Sequence, residues 1–291
     1  MTICSRESWL RTWRMSFVVA ALFGALPSHA VLDGEPDGGR HPFVGLIVYQ
    51  MEENGPWYAP QGGNAVLVSS TVAITAGHVL RPPLLPELNL GIKPARIGVT
   101  FEARPVDLST PPDLGTHWRI LPASMVHVVR SVAWHPDLFA SPETPNDVGV
   151  IVFEKPVTGR PTARIPRPGL FDLLDRVIEP RMSIVGYGGT QPVFPPPLGG
   201  GNRTSGTAPL VELTPHVLVT AQLNEGDVSG GAGDSGAPAL FAHGMVIGVL
   251  SSLAFASDSE PAFTLFSRVD DESACGFLKR YLRLNCAPIS Y

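Results

Sequence analysis

Short apolar runs broken by turn residues dominate the chain. Phe43 to Tyr49, Ala65 to Val68, Val72 to Thr75, Val148 to Phe153, Met182 to Val185, Val217 to Gln222, Met245 to Leu250 and Phe263 to Arg268 are rich in Val and Ile. Gly, Pro and Asn clusters separate them at intervals of about ten residues, the signature of an all-β sandwich or barrel. No long amphipathic helix alternates with these runs, so a parallel sheet with crossover helices is not expected. The one helical pattern spans Glu272 to Leu284, where Phe277, Tyr281 and Leu284 share a face beside Lys279, Arg280 and Arg283. It predicts a terminal helix docked on the body.

Organisation follows from the punctuation. A Pro-rich stretch from Lys155 to Gly169 separates a strand-rich unit at about 42–155 from another at about 170–270. Two barrels side by side fit that division. A second irregular stretch, Gln191 to Thr207, holds Pro192, Pro195, Pro196 and Pro197 and is expected to be a surface loop. Residues 1–30 read as a signal peptide: Arg6, Arg11 and Arg14 precede an apolar run from Phe17 to Leu26, and Ser28-His29-Ala30 supplies small residues for a cut. The run is too short for a comfortable membrane span. Cleavage would leave Val31 as the new terminus of a domain covering 31–291, secreted or periplasmic and without a membrane anchor.

Losing that leader removes three Arg and one Glu and takes the net charge from -5 to -7. An acidic chain is a poor partner for nucleic acid. Of the three cysteines, Cys4 departs with the leader, and Cys275 and Cys286 remain as an even pair in a compartment that permits a disulfide.

Candidate chemistry concentrates in three places. Gly233-Asp234-Ser235-Gly236-Ala237-Pro238 puts a serine on a glycine-rich turn, where Gly233 and Ser235 can offer backbone N–H groups to a developing oxyanion. A serine hydroxyl needs an adjacent base. Thr75-Ala76-Gly77-His78 ends a hairpin pattern and gives His78 the best context of the eight histidines, whereas His41, His127 and His135 read as turn or surface residues. Asn146-Asp147-Val148 opens a wholly apolar strand, a position from which Asp147 can orient an imidazole. Each alone also reads as an ordinary loop serine, structural histidine or turn aspartate; together, and in this order, they point to nucleophilic acyl transfer.

These motifs resemble the trypsin/chymotrypsin family. Thr75-Ala76-Gly77-His78 stands where the family has Thr-Ala-Ala-His, Asn146-Asp147-Val148 where it has Asn-Asp-Ile, and Gly186-Tyr187-Gly188 where it has Gly-Trp-Gly. The resemblance implies two six-stranded antiparallel β-barrels with a Ser235–His78–Asp147 triad between them, an oxyanion hole at Gly233 and Ser235, and protein or peptide substrates. A proteinaceous inhibitor is a further partner class, and neither cofactor nor metal is expected. Gln61, Val79 and Gly231 replace family half-cystines, so barrel packing must provide the stability. The resemblance further implies that a freed Val31 pairs with Asp234, a pairing that Asp33 would oppose unless its carboxylate faces solvent. It places Ser229, Leu253 and Pro261 around the primary pocket, which carries no carboxylate and so suits small or medium aliphatic side chains better than Arg or Lys. The competing expectations are a catalytically silent binding module of the same fold and a serine esterase. The esterase is weakened by Ala237, where the esterase elbow needs glycine, and by the His-before-Ser order.

Overall fold

The computed structural model describes residues 31–59, 63–81, 94–106, 118–141, 143–175, 179–189, 201–242, 244–255 and 262–289. Residues 1–30, which the sequence reads as a signal peptide, and Gln61 and Pro261 lie outside these residues. The described chain is all-β, with short helices. It enters through β1 (Glu35–Pro36) and then forms β2 (Val44–Gln50), β3 (Trp57–Ala59), β4 (Asn64–Ser69), β5 (Val72–Thr75), the single turn α1 (Gly77–Leu80), β6 (Arg96–Thr100), β7 (Arg119–Leu121), β8 (His127–Trp134) and β9 (Gly149–Phe153). After α2 (Leu170–Asp175) come β10 (Arg181–Gly186), β11 (Thr204–Leu213), β12 (Val217–Ala221), β13 (Pro238–Phe241), β14 (Met245–Phe255), β15 (Ala262–Arg268) and α3 (Glu272–Leu278).

Two closed six-stranded antiparallel barrels result. The first runs β2, β4, β5, β9, β8, β6 and back to β2, with β3 and β7 extending from β2. The second runs β11, β10, β13, β14, β15, β12 and back to β11, with β1 added beside β11. Closure leaves no free edge within either ring. Register shifts at Leu67/Ser69, Val129/Ser131, Leu210/Glu212, Ala239/Leu240 and Leu250/Ser252 bend the strands around the rings. The apolar runs fill the barrels. β2, β5 and β9 are buried along their whole length, and Met182, Ile184, Leu218, Ile247 and Phe266 form the heart of the second core.

Two expectations are corrected. The stretch Gln191 to Thr207 is not loop to its end, because Thr204–Thr207 begins β11, which pairs with both β10 and β12. The terminal helix stops at Leu278 instead of Leu284. Cys275 and Cys286 are bridged with their Cα atoms 5.7 Å apart; eleven residues of continuous helix would separate them by about 16 Å, so the chain has to turn back. Asp271 caps the helix, accepting from the Ala274 N–H at 2.6 Å.

The seam between the barrels is tied by a buried ion pair. Arg203, just ahead of β11, donates through Nε to Asp37 Oδ2 at 2.8 Å. Its Nη1 donates to the carbonyls of Val44 and Phe101 in the first barrel and to the Tyr187 hydroxyl. His41 Nδ1 lies 2.6 Å from the other Asp37 oxygen. Burial alone would raise the Asp37 carboxyl, but the His41 hydrogen bond and the Arg203 charge outweigh it and hold the group well below the usual carboxylate range. A depressed carboxyl contributes stability above its unfolded value that is lost as the pH falls. Asp37→Ala strands Arg203 in the interior, and urea unfolding is expected to show a loss of about 3–5 kcal/mol at neutral pH, shrinking below pH 4.

Candidate active site

β5 ends at Thr75, and the chain then turns through Ala76, in an extended conformation, into the single turn of α1. That turn carries His78 at the mouth of the seam. A side chain at Gly77 would press on the Val148 carbonyl, so the turn can lie against β9 only with a small residue there. Asp147 directly precedes β9, after Asn146 in a left-handed conformation with φ of 45°. Ser235 sits on the turn leading into β13. Gly236 beside it, with φ of 81°, touches the first barrel so closely that a Cβ would collide with the Asn64 carbonyl and the Thr75 hydroxyl.

The three side chains predicted to act together do meet. His78 Nδ1 donates to Asp147 Oδ2 at 2.7 Å, and Ser235 Oγ, 2.9 Å from His78 Nε2, donates to it in the tautomer that this bond selects. The His78 backbone N–H also donates to Asp147 Oδ1 at 2.8 Å. Asp147 has no exposed surface. Two serines absent from the sequence expectation complete its surroundings. Ser251 Oγ, on β14, donates to Asp147 Oδ2 at 2.6 Å, and Ser267 Oγ, on β15, accepts from the Asp147 N–H at 3.0 Å. Neither serine carries a local motif, and only folding reveals them.

Phe139 also escaped the sequence expectation. It is half exposed, has φ of 56°, rare for a bulky residue, and stacks on the His78 ring with centroids 6.2 Å apart. It forms one wall of a cavity of about 360 Å³ that also touches Pro145, Val217, Ser251 and Leu265. Among the described residues no charged side chain lines this cavity.

The amides of Gly233 and Ser235 have no hydrogen-bond acceptor among the described residues. Asp234 between them is fully buried, accepting from the Gly188 N–H at 2.8 Å and the Gly231 N–H at 2.9 Å. Val31, preceded here by residue 30, has a peptide nitrogen that donates to Thr204 Oγ1 at 2.7 Å and not to Asp234. Its side chain is nonetheless buried in the second core, and Leu32 pairs with Ser229. Asp33 is exposed and bonded by Gln222, so its charge does not oppose Asp234 at close range.

Around the expected primary pocket, Ser229 is buried with its hydroxyl unpartnered among the described residues. Leu253 is half-buried against the second core. Its strand partner is Thr264, a residue the sequence did not single out, whose hydroxyl accepts from the Gly230 N–H at 2.9 Å. A Cβ at Gly230 would collide with Leu250 and press on Leu253 and Thr264. His135, by contrast, is structural: it is buried, stacks edge-on with Phe277 and contacts Ser273 of the terminal helix.

Two closed antiparallel barrels with the gathered side chains at their seam fit a trypsin-like fold. No family model matches the chain, and no curated protein matches it. The Cys275–Cys286 bridge fits an extracellular or otherwise oxidising location, and no helix among the described residues is long and apolar enough to cross a membrane.

Burial pushes the Asp234 carboxyl up to about 7, opposed only by the amides of Gly231, Gly188 and Tyr187, and no cation contacts it among the described residues. A carboxyl raised on folding favours the fold while protonated. Its contribution is complete below the unfolded value near 4 and is lost as the pH rises through about 7. The chain retaining residues 1–30 is therefore expected to lose stability on the order of a few kcal/mol between pH 4 and 8. Asp234→Asn should flatten that slope in denaturant titrations.

Proposed function

We propose that the chain is a secreted serine endopeptidase. The observation that carries this reading is the continuous hydrogen-bonded relay Ser235–His78–Asp147, spanning two barrels and ending beside two amides that have no acceptor among the described residues. Ser235 Oγ attacks the scissile carbonyl while His78 Nε2 takes its proton. Asp147 accepts from the imidazolium and steadies it. The carbonyl oxygen becomes negative between the Gly233 and Ser235 N–H groups, where fixed dipoles stabilise charge without reorganising. Collapse expels the amine, protonated by His78, and leaves an ester on Ser235. Water, deprotonated by the same imidazole, then attacks that ester and frees the enzyme.

Substrate preference follows from charge and space. Among the described residues, the cavity beside Phe139 offers no carboxylate to an Arg or Lys side chain. Burying an unpaired cation there costs several kcal/mol. The enzyme is expected to cleave after small or medium aliphatic residues, and a peptide library dominated by cleavage after Arg would overturn this preference.

Export supplies the remaining step. Cleavage after Ala30 creates an ammonium group at Val31, a residue already packed in the second barrel, and this cation pairs with the Asp234 carboxylate beside the oxyanion amides. A fluorophosphonate probe, which bonds only an activated serine, is expected to label the chain beginning at Val31. It should fail to label Ser235→Ala or a chain retaining residues 1–30. Equal labelling of the Ser235→Ala chain would end the serine-hydrolase proposal, and hydrolysis of lipid esters without peptide amides would transfer it to the esterases.

A further inference from the structure

Asn64 reaches from the first barrel across the seam and holds the nucleophile turn of the second. It opens β4, has no exposed surface, and satisfies its amide entirely across the seam. Nδ2 donates to the Gly233 carbonyl at 3.1 Å and to the Ser235 carbonyl at 3.3 Å. Oδ1 accepts from the Tyr187 N–H at 2.9 Å. Its backbone joins the same clasp: the Asn64 N–H donates to the Ser235 carbonyl at 2.8 Å, the Gly63 N–H donates to the Gly233 carbonyl at 2.9 Å, and the Asn64 carbonyl accepts from Thr75 Oγ1 at 2.6 Å.

The consequence for the turn is specific. The carbonyls of residues 233 and 235 are both held by Asn64, while the amides of the same two residues have no acceptor among the described residues. Fixing a carbonyl fixes the plane of the following peptide, and with two planes fixed the rotation of Ser235 and the direction of its N–H are restricted. A buried amide side chain with every polar group satisfied is a rigid fixture, whereas a methyl in its place would leave two carbonyls without those donors in a dry seam.

From this geometry we infer that Asn64 is a positioning residue for the oxyanion amides. It never touches substrate, but it holds the Gly233–Ser235 turn in the orientation that transition-state stabilisation requires. The inference rests on the endopeptidase reading for its kinetic consequence and on the hydrogen bonds alone for its structural one.

Two variants separate the donors from the shape. Asn64→Ala removes the side-chain clasp, and Asn64→Asp keeps the shape and the acceptor for Tyr187 but loses both Nδ2 donors. In the secreted chain beginning at Val31, both are expected to lower kcat about 10- to 100-fold, below the 10²–10³ of deleting an oxyanion donor outright, with KM changed less than about threefold. Affinity for a peptidyl trifluoromethyl ketone, which forms an oxyanion on Ser235, should fall in parallel with kcat/KM. A purely structural role would instead lower the melting temperature and leave kcat and the ketone affinity unchanged below it. Hydrogen exchange of the 229–238 segment supplies a readout independent of turnover, with protection expected to fall at least tenfold in Asn64→Ala while β2 and β15 keep theirs. Folded variants with wild-type kcat, or with unchanged exchange in that segment, overturn the assignment. A parent chain that is inert toward fluorophosphonate sinks the endopeptidase reading instead, and the exchange result then decides the positioning role alone.

Discussion

A carboxylate with no exposed surface is tolerable only where donors surround it, and the position of Asp147 at the seam makes this demand on the whole molecule. Its donors come from three directions: the ring and backbone of His78 in the first barrel, and Ser251 on β14 of the second. Ser267 of β15 anchors its backbone as well. The first barrel supplies the acid and the second supplies part of its hydrogen-bond shell. The first barrel sets the imidazole tautomer, and the second completes the shell that lets its carboxylate partner stay buried.

The surrounding structure reads as support for that arrangement. Arg203, Asp37 and Tyr187 link the entering segment to both barrels through buried charge, and Asn64 with Thr75 grips the turn that carries Ser235. Backbone strain collects nearby: Asn146, which precedes Asp147, and Phe139, which stacks on His78, both have positive φ. Such conformations cost of order 1–3 kcal/mol each and persist where the surroundings over-determine them. Here the Phe139 N–H bonds the Pro145 carbonyl, and Asn146 is contacted by Ser273 of the terminal helix, so the cost is absorbed by contacts converging on the seam.

Legibility varied with the range of the interaction. The runs at Val72 to Thr75 and Val148 to Phe153 were readable as strands because burial on both faces demands unbroken apolar residues, and β5 and β9 match them within a residue. β11 was not readable. Thr204-Ser205-Gly206-Thr207-Ala208-Pro209 has the composition of a loop, and it is extended because β10 and β12 supply ladder partners on either side. His78, Asp147 and Ser235 stood out through their local contexts. Ser251, Ser267 and Thr264 did not, since a serine or threonine in a strand has no signature apart from its partner.

By itself the sequence determined the all-β character, the division into two strand-rich halves and the three residues that meet at the seam, because periodicity and turn chemistry act over a few neighbours. The tertiary structure alone decided the closure of each barrel, the shell around Asp147, the burial of Asn64 and Arg203, and the short terminal helix. Each of those depends on groups far apart in the chain being packed within hydrogen-bonding distance, and desolvation there makes every unmet donor or acceptor expensive.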